Sequence, residues 1–205
     1  MKIIITGGSR GLGAELAKNL KGEIHVLDII KGDNNKVHYH VIDITKDLNK
    51  VLTNIGEVDL VINNAGIMKR GSILDNSLND FEDIVKTNVI GAWNVTRHTL
   101  LKKDATILFI NSRHGLKLKK EPAFYSLTKK WLDDLAILFS HKYRVKNAYL
   151  GPFEGGVSKT DLTKEEYEKR ALLTTKEICD MILDLLKRKK NNLIFDEENN
   201  SYKYK

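Results

Sequence analysis

The chain has 205 residues, 41% hydrophobic and 30% charged, which suits one well-buried core and a single domain over 1–205. Its one cysteine, Cys179, excludes an internal disulfide framework and fits a reducing compartment. The formal charge of +7 gathers in 117–121, in 187–190 and in the YKYK tail, which reads as solvated surface rather than a nucleic-acid footprint.

The expected elements alternate along the chain. KIIIT (2–6) is an apolar strand that runs into glycines, and Leu12, Leu16 and Leu20 follow at helical spacing. EIHVLD (23–28) and KVHYHVID (36–43) are the next strands, joined by a short polar stretch with no full helix. VDLVINNAG (58–66) is a fourth strand that ends in a glycine turn. Ser77 with Asp80 forms a capping-box start for a long helix reaching about Lys102. ATILFINS (105–112) is a fifth strand, and Pro122 opens a helix that carries Tyr125 and Lys129. VKNAYLG (145–151) is a sixth. Thr163 with Glu166, and Thr174 with Glu177, start further helices, and NNLIFD (191–196) is a last strand. Near-continuous apolar strands alternating with helices predict a doubly wound α/β domain, a parallel sheet of about seven strands covered on both faces. No run is long enough to span a bilayer, and MKIIITGG is too short for a signal peptide, so a cytoplasmic protein without a membrane partner is expected.

Ligands of such sheets bind beyond the carboxyl ends of the strands, which directs attention to TGGSRGLG after the first strand. Gly7, Gly11 and Gly13 allow a close backbone approach, and the helix that follows offers free N–H groups to a pyrophosphate. The G-x-G-x-x-G pattern is not met, because Leu16 stands where a third glycine belongs. Asp28, 21 residues after Gly7, closes the second strand where a carboxylate meets ribose hydroxyls and repels the extra phosphate of NADP. An aspartate at a strand end also serves local turns, and Arg10 in the glycine loop is placed to pair with a phosphate. Tyr125 and Lys129, four apart on one helix face, admit two readings: amphipathic side chains at a helix edge, or a phenol tuned by a cation for proton transfer. No cluster of His, Cys and carboxylates has metal-ligand spacing, and His114 reads as a surface group in a loop.

Taken in order, these motifs resemble the short-chain dehydrogenase/reductase family from Met1 to about Pro152. TGGSRGLG resembles its T-G-x-x-x-G-x-G turn, and NNAG (63–66) resembles its turn after the fourth strand. Asp43 and Ile44 match its adenine-contacting pair, and TNVIG places Asn88 at its active-site asparagine. INSRHG places Ser112 at its serine, and YSLTK supplies Tyr125 and Lys129, 13 and 17 residues later. The resemblance implies an oxidoreductase that interconverts an alcohol and a carbonyl by hydride transfer. In it Ser112 holds the substrate oxygen, Tyr125 is the general acid/base and Lys129 lowers the phenol pKa and grips the nicotinamide ribose. Asn88 anchors a water relay. The cofactor is expected to be NAD, with NADP disfavoured by Asp28. It is held by Gly7, Ser9, Arg10, Gly11, Leu12, Gly13, Asp28, Asp43, Ile44, Asn64, Ala65, Gly66 and Pro152, together with Tyr125 and Lys129.

The sequence departs from that family after Pro152, where Phe153 and then EGG replace the usual glycine; Val157, Ser158 or Thr160 is left to contact the nicotinamide. Lys117, Lys119 and Lys120 permit an anionic substrate or simply form a solvated loop. A homodimer or homotetramer through 77–102 and 122–141 is expected, from Trp93, Trp131, Leu135 and Phe139. The competing function, a dinucleotide-binding sensor with little turnover, would be expected to have lost part of the Asn88, Ser112, Tyr125 and Lys129 set, and all four are present.

Overall fold

Ile3, Ile4 and Ile5 show why this chain forms a sheet that is covered on both sides. All three are fully buried, yet Ile3 and Ile5 belong to one core and Ile4 to another. Successive strand side chains point to opposite faces, so an unbroken apolar run is stable only between two layers of helix.

The computed structural model describes residues 1–156 and 173–205. Its strands are β1 (Lys2–Thr6), β2 (Glu23–Asp28), β3 (His38–Val41), β4 (Val58–Asn63), β5 (Leu101–Ser112), β6 (Arg144–Leu150), β7 (Asn192–Asp196) and β8 (Ser201–Tyr204). They form one sheet in the order β3-β2-β1-β4-β5-β6-β7-β8, parallel throughout except for β8, which runs antiparallel to β7. The order reverses between β1 and β4, which opens a crevice at their carboxyl ends.

One face is covered by α1 (Gly11–Asn19) and a C-terminal helix, α7 (Thr175–Lys187). Leu12 and Leu16 of α1 pack there with Ile178, Ile182 and Leu185 of α7 over Ile3, Ile62, Leu108 and Ala148. The opposite face carries α2 (Asn49–Ile55), the continuous α3 (Leu78–Val85) and α4 (Ala92–His98), a one-turn α5 (Arg113–Leu116) and the long α6 (Ala123–Ser140). Leu52, Ile55 and Val95 bury Ile4 and Val61, while Leu132 and Ala136 of α6 bury Ile107 and Phe109. Between α3 and α4 the helix widens into a π-helical turn, Lys86–Gly91, which contains Asn88.

Both capping boxes expected within the described residues are present: Ser77 Oγ accepts from Asp80 N at 3.1 Å, and Thr174 Oγ1 accepts from Glu177 N at 3.2 Å. The start expected at Thr163 with Glu166 lies outside the described residues. The helix expected to reach Lys102 ends at His98 instead. Thr99 turns the chain with its hydroxyl on the Val95 carbonyl, and Leu101 already pairs with Val58 as the first residue of β5. The polar Lys102, Lys103 and Asp104 conceal this start of the strand. Helix α2 and strand β8 are additions to the expected list. In β8, Tyr202 and Tyr204 turn inward against the core and Lys203 outward to Asp196, so part of the basic tail is an amphipathic edge strand.

Lys146 of β6 is fully buried, and its ammonium donates to the carbonyls of Arg188 at 3.0 Å and Lys190 at 2.5 Å. This cation ties the C-cap of α7 to the turn that follows it, ahead of β7.

Candidate active site

The glycine turn is shaped by contact as much as by flexibility. Gly7 has φ +64°, and a Cβ there would come within 2.9 Å of Ala65 Cα. A Cβ on Gly13 would lie 2.3 Å from the Gly7 carbonyl oxygen, so the first turn of α1 packs directly on the loop. No side chain caps α1 and its first turn holds no acidic residue, which leaves its N-terminal N–H groups available to an anion. Asp28 Oδ2 accepts from Ser9 N at 3.0 Å, and the Ser9 hydroxyl donates to the Ile30 carbonyl at 2.7 Å. The loop is therefore tied to the end of β2, with the Asp28 carboxylate at the cleft.

Asn64 joins this loop to β4. Its Nδ2 donates to the carbonyls of Thr6 at 3.0 Å and Gly7 at 2.8 Å, while the Thr6 hydroxyl accepts from the main-chain N–H groups of Asn64 and Ala65. The NNAG turn thus braces the glycine loop. Asn88 is buried behind Gly66. Its Oδ1 accepts from Ile67 N at 2.8 Å, and its Nδ2 donates to Ile67 O at 2.9 Å and to Thr128 Oγ1 at 3.1 Å. The amide clamps the segment after β4 to α6, rather than lying in the cleft.

Ser112 ends β5 in an extended conformation and caps α5. Its Oγ lies 3.2 Å from His114 Nδ1, accepts from His114 N at 3.3 Å and stands 3.5 Å from the Leu150 carbonyl. His114 is 8% exposed, and its ring meets the Tyr125 ring edge-on at 5.7 Å. Burial, reinforced by Arg113 and Lys119, pushes this imidazole down to about 4, so it is neutral at physiological pH. The surface placement expected for His114 is overturned, because the turn after Ser112 folds inward as α5.

Tyr125 and Lys129 are both buried on the inner face of α6. The Lys129 ammonium stands 5.6 Å from the Tyr125 ring centre and donates to the Ile110 carbonyl at 2.9 Å. Burial pushes it down to about 8, which leaves it largely protonated near neutrality.

One cleft of about 900 Å³ brings these parts together. It is lined by Gly7, Arg10, Gly11, Leu12 and Asp28, by Asp43, Ile44, Asn64, Ala65 and Gly66, and by Ser112, His114, Tyr125, Lys129 and Pro152. Ser9, Gly13 and Asn88 support the lining from behind. The size suits an extended ligand, and the N–H groups of α1 at one end with a buried cation at the other fit a dinucleotide. Lys117, Lys119 and Lys120 do not line it, and Lys119 pairs with Glu197 at 3.5 Å, as Arg113 does at 2.7 Å. Phe153 is buried against the core. Gly155 lies over the glycine loop, its carbonyl oxygen 3.4 Å from where a Gly11 Cβ would stand. Val157, Ser158 and Thr160 lie outside the described residues. Arg70 and Glu121 also line the cleft, on loops whose sequences carry no recognisable motif.

Among the described residues no group of three or more His, Cys, Asp or Glu side chains could hold a metal ion, and no described helix is long and apolar enough to cross a membrane. A short chain dehydrogenase family model matches residues 1–171. A 3-oxoacyl-(acyl-carrier-protein) reductase of Chlamydia muridarum is 26% identical over 186 residues, covering 78% of this chain and 75% of that protein. An uncharacterised oxidoreductase of Staphylococcus haemolyticus is 30% identical over 148 residues, 62% of this chain and 64% of its own. Among solved structures, a short chain dehydrogenase from Burkholderia cenocepacia in complex with NADP superposes with a TM-score of 0.80 at 20% identity, over 93% of this chain and 86% of that one. A family match over most of the length, on a sheet with this strand order and this glycine turn, identifies the chain as a member of the short-chain dehydrogenase/reductase family of oxidoreductases.

Proposed function

We propose that this oxidoreductase interconverts an alcohol and a carbonyl compound, with NAD as its preferred dinucleotide and the whole chain acting as one domain. The observation that carries the reading is the meeting of Ser112, Tyr125 and Lys129 with the glycine turn and Asp28 on one cleft. When bound, the nicotinamide supplies the hydride chemistry. Ser112 donates to the substrate oxygen, and Tyr125 gives or takes the proton at that oxygen. Lys129 holds positive charge beside the phenol, which favours the phenolate. Asn88 fixes the distance between the segment after β4 and α6 through Ile67 and Thr128.

The preference for NAD rests on the Asp28 carboxylate at the end of β2, where a 2′-phosphate would meet like charge. The Burkholderia relative holds NADP, so the choice is a property of this chain's own β2 and is tested on it directly. A panel of alcohols and ketones followed by NADH and NADPH absorbance tests the function. Relatives named for 3-oxoacyl reduction make ethyl acetoacetate a sound first probe. No turnover of any panel member by folded protein that binds the dinucleotide would favour a sensor instead. A homodimer or homotetramer through α4 and α6 completes the reading: Trp93 is 41% and Trp131 37% exposed, whereas Leu135 and Phe139 pack against the chain's own core.

A further inference from the structure

The short α5 places two nitrogens of one residue on one oxygen. We propose that His114 is the positioning residue for Ser112: its ring Nδ1–H and its main-chain N–H both donate to Ser112 Oγ, which turns the serine proton outward to a substrate oxygen. The inference rests on the role given to Ser112 above.

A hydroxyl has one proton and two lone pairs. The His114 main-chain N–H, 3.3 Å away, takes one lone pair. The Leu150 carbonyl, 3.5 Å from Oγ, is an acceptor only, so it takes the serine proton. The second lone pair is then left for His114 Nδ1 at 3.2 Å, which in this arrangement carries the hydrogen. The bond to Leu150 is at the long limit, so an oxygen arriving in the cleft displaces it at little cost. Were Nδ1 the acceptor, it would compete with substrate for the only proton Ser112 has. The same imidazole abuts the Tyr125 ring at 5.7 Å and 77°, so it also spaces the serine from the phenol. With its pKa pushed down to about 4, the ring stays neutral across the pH range of an ordinary assay.

The first measurement is the ring nitrogen spectrum of the full chain by long-range proton–nitrogen NMR at neutral pH, which needs no substrate. His114 Nδ1 should be the protonated nitrogen; protonation at Nε2 alone would overturn the proposal. The second is a set of variants assayed for turnover of ethyl acetoacetate or the best panel substrate, and for dinucleotide affinity. His114→Leu should lower kcat roughly 10- to 100-fold, the scale of a misplaced reacting group, with the dinucleotide Kd unchanged. His114→Asn, whose amide N–H stands near the place of Nδ1, should recover most of that loss, and His114→Gln should not. Ser112→Ala with His114→Leu should be no slower than Ser112→Ala alone, because His114 acts through Ser112. Equal rates for Asn and Gln, or a double variant slower by the full His114→Leu factor, would assign the imidazole a packing role only. If His114→Leu fails to fold, the comparison of Asn with Gln decides alone. Full turnover in Ser112→Ala would instead remove the reading of Ser112, a result distinct from failure at His114.

Discussion

The Lys129 ammonium faces the Tyr125 ring at 5.6 Å and is anchored at 2.9 Å on the Ile110 carbonyl, one strand residue before the Asn111–Ser112 pair. The carbonyl holds the cation within reach of the phenol without neutralising it, as a carboxylate would.

Tyr125→Phe keeps the ring and its packing and removes its hydroxyl. Turnover should fall by about two to four orders of magnitude, the usual loss of a general acid or base. Dinucleotide affinity should stay close to that of the parent. Stopped-flow rates with a fluorescence titration check both, and near-normal turnover in folded protein would end the catalytic reading of Tyr125.

Lys129 gives stability a pH dependence of known sign. Its folded pKa of about 8 lies below the ordinary lysine value of 10.5, so the unfolded chain binds more protons between these limits. Unfolding free energy should therefore gain a rising contribution from Lys129 between about pH 8 and 10.5, on the order of 3 kcal/mol in full. Lys129→Met should lose this rise in urea titrations at several pH values. Turnover of the parent should fall as pH rises through about 8, where the folded ammonium beside Tyr125 gives up its proton.

Asp28→Ser removes the carboxylate and retains a hydrogen-bonding group. The ratio of NADPH to NADH dissociation constants should narrow or invert, with Arg10 at the cleft then free to meet the additional phosphate. Tighter binding of NADPH by the unaltered chain would show that Asp28 does not set the choice.

Association should run through the exposed Trp93 and Trp131 with Ile137 and Leu138 of α6, which are 53% and 66% exposed. Sedimentation at micromolar concentration should give a multiple of 23.3 kDa. Trp131→Glu should shift the equilibrium to the monomer. A parent that sediments only as a monomer refutes the assembly.

Lys146→Met relieves the desolvation of a buried ammonium but leaves the Arg188 and Lys190 carbonyls without their donor. The loss should prevail, at about 1–3 kcal/mol by urea denaturation, because two carbonyls, of Arg188 at the C-cap of α7 and of Lys190 beyond it, would lose their donor. A variant more stable than the parent would reverse that ordering.

Much of the sheet was legible because β1, β4 and the core of β5 are apolar on both faces, and β2 is so apart from His25, a pattern that solvated segments do not produce. The elements that escaped are those whose signal is half polar. Leu101 starts β5 ahead of three exposed polar residues, and Tyr202 and Tyr204 alternate with polar neighbours over a strand of only four residues. At the site, residue types in order brought together Asp28, Ser112, Tyr125 and Lys129. The inward turn of His114 was not legible, because it depends on a four-residue helix that a serine cap starts and α6 covers. The widened turn around Asn88 was hidden for a similar reason, since one extra residue per turn leaves no mark in a helical pattern.

The Gly151 N–H, at the floor of the cleft, donates at 3.0 Å to the hydroxyl of Tyr202 in β8. Gly151 itself lies against the Phe195 ring of β7, with room for no Cβ. This part of the cleft lining is thus fastened to the last two strands of the sheet, the outer of which, β8, is paired on one side only and opens at least cost. The Gly151 amide should exchange with solvent deuterium at the pace of that edge hairpin, faster than the amides of β1 and β4. One half of the cleft keeps time with the centre of the sheet and the other half with its rim.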